Sequence, residues 1–162
     1  MTVPLGAGRV SIRRAAPSDL PAIIEFRLAM LDDVFGAEYG PVVDPAAMRR
    51  DNESWLTEHF GRDFSAWIAE IDGRPVASAG LLWFSHPPGP ANPLGREAYI
   101  LNVYTRPEAR RLGLARALME RLIEEARASG VRRIWLRASP AGRPLYEDMG
   151  FRAGNYLQLT PD

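Results

Sequence analysis

The segment Arg110-Arg111-Leu112-Gly113-Leu114-Ala115-Arg116 has the residue types most directly suited to chemistry, because it joins a strand-patterned run to the start of a helical one. At a helix start several backbone amides lack an intrahelical partner, and the helix dipole adds roughly half a positive charge. A phosphate group is the natural guest of such a turn. Gly113 lets a backbone approach a phosphate closely, Ala115 keeps the first turn small, and Arg110, Arg111 and Arg116 add positive charge. The same residues also suit a solvated basic turn ahead of an amphipathic helix, and spacing alone leaves both readings open.

The elements that hold this turn are a strand over Glu97 to Thr105 and a helix from about Leu114 to Ser129, capped by Gly130. Leu114, Leu118, Leu122 and Ala126 form one helical stripe, widened by Ala115, Met119 and Ile123. A further strand over Arg133 to Ala138 completes a strand–helix–strand crossover, which places both strands parallel in one sheet. Upstream, Val10 to Arg14 alternates as a strand, and Pro17-Ser18-Asp19 opens a helix whose first amides a Ser or Asp oxygen can cap. That helix carries Leu20, Ile23, Ile24, Leu28 and Leu31 on one face. A second helix opens at Asp44-Pro45 and ends near Gly61, with Met48, Trp55, Leu56 and Phe60 on its apolar face. Phe64 to Ile71 and Val76 to Phe84 flank Asp72-Gly73 as an antiparallel hairpin. Ser85 to Gly95, with four prolines, is a loop. A short helix over Pro144 to Met149, closed by Gly150, and a terminal strand within Phe151 to Thr160 end the pattern.

Length and composition bound the chemistry. The 162 residues match a single domain spanning 1–162 with one core. Charge is balanced at 20 basic and 20 acidic residues, which argues against a nucleic-acid partner. No apolar run spans a bilayer and no secretory pattern opens the chain, so neither a membrane nor export is expected and the cytoplasm is the expected compartment. With 0 cysteines there is no thiol nucleophile, disulfide or thiolate-ligated metal. All 20 basic residues are arginine, which excludes Schiff-base chemistry and the lysine-dependent phosphate loop. His59 and His86 are the only imidazoles and no ligand cluster has metal spacing, so no metal is expected.

Arg110-Arg111-Leu112-Gly113-Leu114-Ala115 fits the Arg/Gln-x-x-Gly-x-Gly/Ala signature of the GCN5-related N-acetyltransferase superfamily. Leu101-Asn102-Val103-Tyr104-Thr105-Arg106-Pro107 and Leu145-Tyr146-Glu147-Asp148-Met149-Gly150-Phe151 also resemble that family, in the same order. The resemblance covers nearly the whole chain. It implies an α/β fold in which helices flank a mixed, central β-sheet, splayed between the strands that carry Val103 and Leu136.

The resemblance further implies acetyl-CoA as co-substrate. Amides of Arg111, Leu112, Gly113, Leu114, Ala115 and Arg116 would cradle the pyrophosphate, with Arg110 adding charge. The strand at Val103, Tyr104 and Thr105 would pair with the pantetheine arm between the splayed strands. Ser139 and Gly142 stand where many members have Asn and Ala, and Ser139 can still hydrogen-bond the arm. Tyr146 matches the tyrosine that protonates the departing sulfur. Glu97 is the candidate base, placed by strand alternation on one face with Tyr99, Leu101 and Val103. His86 and a water chain remain alternative bases. His59 is expected to serve its helix end. The acceptor pocket would draw on Met30 to Tyr39 and Ser85 to Gly95, with Asp32, Asp33 and Glu38 attracting a cationic amine and Phe35, Tyr39 and Trp83 forming an apolar wall.

The expected activity is direct transfer of an acetyl group to a primary amine of a small molecule, with a homodimer allowed. Two alternatives stay open: transfer to a peptide or protein N-terminus, and an acyl-CoA-binding regulatory module without turnover.

Overall fold

A computed structural model describes residues 2–5, 8–36 and 44–159. Six strands form one sheet in chain order: β1 (Thr2–Leu5), β2 (Gly8–Arg14), β3 (Phe64–Ile71), β4 (Arg74–Ser85), β5 (Arg96–Thr105) and β6 (Ile134–Leu136). Neighbours from β1 to β5 are antiparallel, and β5 and β6 are parallel, so the sheet is mixed. Asp72 and Gly73 close the β3–β4 hairpin with φ of 51° and 77°, the two positive values that this tight turn requires.

Helices cover both faces. On one lies α3 (Leu114–Ala128), whose Leu114, Leu118, Met119, Leu122 and Ala126 are buried with Leu81, Ala98 and Ile100 of the sheet. A polar clamp adds to this packing. Glu125 of α3 accepts from Ser65 Oγ and Trp67 Nε1, both at 2.8 Å, and from Arg14 Nη2 at 2.9 Å. On the other face α1 (Leu20–Met30) and α2 (Pro45–His59) bury Ile23, Ile24 and Leu56 against Phe64, Ala66 and Ile68. Asp44 caps α2 by accepting from the Ala47 amide at 2.9 Å. A short helix, α4 (Arg143–Asp148), follows β6.

Several sequence expectations need correction. An additional strand, β1, precedes the expected first one, which itself begins at Gly8. Asp19 does not cap α1. Its carboxylate accepts instead from the Ala16 amide at 2.7 Å and from both terminal nitrogens of Arg13, at 2.7 and 2.8 Å. His59 binds Asp63 through Nδ1 at 2.7 Å and stacks on Trp55 rather than serving the helix carbonyls. The strand expected over Arg133 to Ala138 shrinks to three residues, because β5 diverges after Ile100↔Leu136. No strand forms within 151–159, and Thr160 lies outside the described residues. Leu157 is 99% exposed there, so the apolar alternation of that tail has no sheet surface to bury against.

One further correction shapes the site. Gly80 pairs with Leu101 but Ser78 pairs with Tyr104, so β5 carries one extra residue opposite Ala79. Asn102 takes φ 56° within this bulge. Side-chain alternation flips there: Leu101 packs on the α1 side, whereas Val103 packs with the α3 cluster. Val103 therefore does not share a face with Glu97, Tyr99 and Leu101.

Candidate active site

Pairing between β5 and β6 runs over only three positions, Ala98↔Ile134 to Ile100↔Leu136, while β5 continues to Thr105. Beyond Ile100 the two chains part, and the β5 edge from Leu101 to Thr105 faces a gap. On that stretch of β5, Asn102 Nδ2 and Thr105 Oγ1 are buried without a hydrogen-bond partner. Buried polar groups almost always have partners, so this concentration suits a polar ligand lying along the strand edge.

The turn that follows β5 has the geometry of an anion cradle. Arg111 and Gly113 take φ of 64° and 75°, which coils the chain before α3. Gly113 is the N-cap, and nothing lies within 4 Å of the Cβ that a side chain would add there. Ala117 is the residue whose amide bonds back to Gly113 O, at 3.1 Å. Leu114 is buried and anchors the turn, while Leu112 is exposed and Ala115 partly buried. Two of the expected arginines already hold carboxylates: Arg110 Nη2 donates to Asp33 at 2.8 Å and Arg116 pairs with Asp148. Arg111 is the exposed cation of the turn for which no such pair forms among the described residues.

Tyr146, on α4, packs against the α3-side cluster and edge-on to Phe151 at 6.2 Å between ring centroids. Burial raises its phenol above the ordinary value of 10.0, so the hydroxyl stays protonated and can donate. Gly142 makes this seat: a Cβ there would come 2.9 Å from Tyr146 Cε2. Ser139 turns its hydroxyl to the same loop, accepting from the Gly142 amide at 3.1 Å. A cavity of about 820 Å³ runs between β6, α4 and residues 150–156, with Tyr146 in its wall.

Glu97 is 8% exposed and lies beside the paired part of β5 and β6, three residues before Ile100. That is about 10 Å along the strand from where the gap opens. Its Oε1 accepts from Arg133 Nη1 at 3.0 Å and faces His86 Nε2 at 3.2 Å. His86 Nδ1 in turn meets Pro87 O at 2.9 Å. Arg133 also donates to the Tyr156 hydroxyl at 2.9 Å, and Tyr156 stacks on Trp135, which ties the C-terminal tail to β6.

The residues expected to form the acceptor pocket do not come together as one group. Glu38 and Tyr39 lie outside the described residues, as does the Phe35 side chain. Asp32 is exposed in the π-type turn Leu31–Phe35, and Asp33 is engaged by Arg110. Trp83 pairs with Ala98, on the α3 side, and packs beneath the Arg96 guanidinium at 4.2 Å. Near β6, Phe84, Tyr99 and Trp135 form an aromatic cluster, with Tyr99 and Trp135 centroids 4.4 Å apart.

Arg27 is the residue on the α1 side that sequence reasoning passed over. It interrupts the apolar stripe of α1, one position before Leu28, which is the signal that could have found it. Its Nε donates to Asn52 Oδ1 and its Nη1 to Asn102 Oδ1, both at 2.5 Å. Burial lowers its pKa and the Arg27 charge opposes the burial-driven rise of the Tyr99 phenol.

Among the described residues no helix is long and apolar enough to cross a membrane, and no group of three metal-ligating side chains gathers. Comparison with known proteins agrees with this architecture. The crystal structure of a predicted acetyltransferase with acetyl-CoA from Clostridium acetobutylicum superposes with a TM-score of 0.83 at 29% identity, over 93% of this chain and 96% of that one. A GCN5-related N-acetyltransferase from Ralstonia eutropha JMP134 gives a TM-score of 0.82 at 30% identity, over 94% of this chain and 98% of that one. The [ribosomal protein bS18]-alanine N-acetyltransferase of Escherichia coli K12 is 47% identical over 71 residues, 40% of this chain and 48% of the relative. The chain thus spans about half the length of the curated relatives it matches. Residues 28–151 match the model of the acetyltransferase (GNAT) family, and the chain belongs to that family.

Proposed function

We propose that this protein transfers the acetyl group of acetyl-CoA directly to a primary amine of a small molecule. The observation that carries this reading is the gap between β5 and β6, bordered by unpaired strand edge and orphaned polar atoms and led into by the Gly113 turn. Bound acetyl-CoA supplies an activated thioester. Amides from Arg111 to Arg116 hold the pyrophosphate, and Arg110, Arg111 and Arg116 add charge, the first and last by exchanging Asp33 and Asp148 for phosphate oxygens. The backbone of Val103 and Thr105 pairs with the arm along the strand edge, Tyr104 lies over Phe26 on the α1 side, and Ser139 offers its hydroxyl.

Tyr146 gives its proton to the departing sulfur. Glu97 receives the proton of the amine; from about 10 Å behind the gap it does so through water rather than by contact. His86 and Arg133 fix the carboxylate that accepts it.

A second reading, transfer to the α-amine of a protein, is favoured by the bS18-alanine N-acetyltransferase relatives. Mass spectrometry of products after incubation with acetyl-CoA and a library of small amines and Ala-initiated peptides separates the two. Acetylated small amines support the first reading and acetylated peptides alone the second. Release of no acetylated product, with acetyl-CoA still bound, leaves an acyl-CoA-binding module.

A further inference from the structure

Arg27 sits on the α1 side of the gap and donates hydrogen bonds to neutral amide oxygens, those of Asn52 and Asn102. Among the described residues no carboxylate pairs with it, whereas Arg13, Arg14, Arg49, Arg110 and Arg133 each engage one. A guanidinium withdrawn from water without a counter-charge is costly, and α1 could have carried leucine at this position of its apolar stripe. Beside it, Asn102 is 5% exposed, and its Nδ2 has no acceptor. The bulge is what turns this side chain toward α1, since φ 56° at Asn102 breaks the strand alternation. One cation and one unmatched amide donor therefore meet where the strand edge opens, on the face away from α3 and Tyr146.

We infer that Arg27 and Asn102 recognise a carboxylate on the acceptor, so that the substrate is an amine bearing a free carboxylate near the reacting nitrogen, an amino acid rather than a simple amine or a peptide. The inference rests on the acetyl-transfer reading. A planar carboxylate suits a guanidinium fork, and a charge-assisted hydrogen bond in a partly buried place is worth more than a neutral one. Anchoring the carboxylate at α1 would leave the amine of a short substrate to point at the gap. It also assigns the acceptor side a positive anchor, where the sequence had suggested the negative one of Asp32 and Asp33.

The test uses the full chain with acetyl-CoA and matched pairs: the common L-amino acids, their carboxamides, and dipeptides that begin with the same residues. At least one amino acid should be acetylated with a kcat/KM about ten- to a hundredfold above its carboxamide and dipeptide. Arg27→Met should remove that preference by raising KM for the amino acid, with the carboxamide rate and acetyl-CoA affinity little changed. Arg27→Lys should restore part of it. Carboxamides or dipeptides turned over as well as amino acids would overturn the inference while leaving acetyl transfer intact. Bound acetyl-CoA with no amine acetylated would instead overturn the acetyl-transfer reading and the inference with it. If Arg27→Met does not fold, the wild-type pairs alone still decide.

Discussion

The Cβ that an alanine would add at residue 142 falls 2.9 Å from Cε2 of Tyr146 and 3.2 Å from Oγ of Ser139. Both neighbours are side chains assigned to the donor site, so the glycine sets their positions without touching a ligand. Gly142→Ala should displace the Tyr146 ring and lower kcat by about tenfold, since small misplacements of reacting groups are costly. Acetyl-CoA affinity, measured by calorimetry, should change little.

Tyr146→Phe should lower kcat by about a hundredfold to ten-thousandfold with the acetyl-CoA dissociation constant nearly unchanged, because only a proton donor is lost. Burial holds the phenol above its ordinary 10.0, so the donor form persists through neutral and mildly alkaline pH. The factor lost in Tyr146→Phe should thus be constant from pH 7 to about 9.5. Full activity in the variant would remove Tyr146 from the role.

Asp33 and a phosphate would compete for Arg110, whose Nη2 now binds Asp33 at 2.8 Å. Asp33→Asn should release the guanidinium and tighten acetyl-CoA binding by up to about fivefold, the scale of a half-exposed ion pair. If Asp33 instead attracts the amine, the variant would raise the acceptor KM and leave acetyl-CoA binding as it was. Gly113→Glu provides the complementary perturbation: it strains φ 75° and puts negative charge in the turn, so acetyl-CoA should no longer raise the melting temperature.

How far the sequence could be read depends on whether the deciding interaction is local. Asp72-Gly73 states its hairpin outright, because both residues tolerate the φ values found. The stripe of α3 states its buried face, and the turn at Gly113 states its amides. The bulge is different. Asn102 stands in a run with ordinary strand character, and only the mismatch with β4, between Ser78 and Gly80, reveals the extra residue. That missed flip misplaced Val103. The tail from Phe151 fails for a related reason: its alternation needs a partner strand, and β6 offers three residues already paired on one side to β5.

Asp19 supplies a prediction about stability and pH. Hydrogen bonds from Arg13 hold its carboxyl below the ordinary 3.8, so its contribution is complete above that value and is lost as pH falls through the lower, folded one. Asp19→Asn should cost about 1–2 kcal/mol at pH 7, given that the Arg13 partner is half exposed. In urea melts at pH 7 and pH 2.5 the gap between wild type and variant should narrow at the lower pH. A gap of equal size at both would mean that packing, not charge, explains the loss.

The extra residue in β5 gives the strand one position that belongs to neither phase of its alternation. Residues 96–101 alternate between the two faces and 103–105 alternate in the opposite phase, with Asn102 as the residue at which the phase changes. Deleting Asn102 would make Leu101 and Val103 neighbours in ordinary alternation, the first still toward α1 and the second still toward α3, so the ladder would become regular and only the Asn102 amide would be lost from the α1 side.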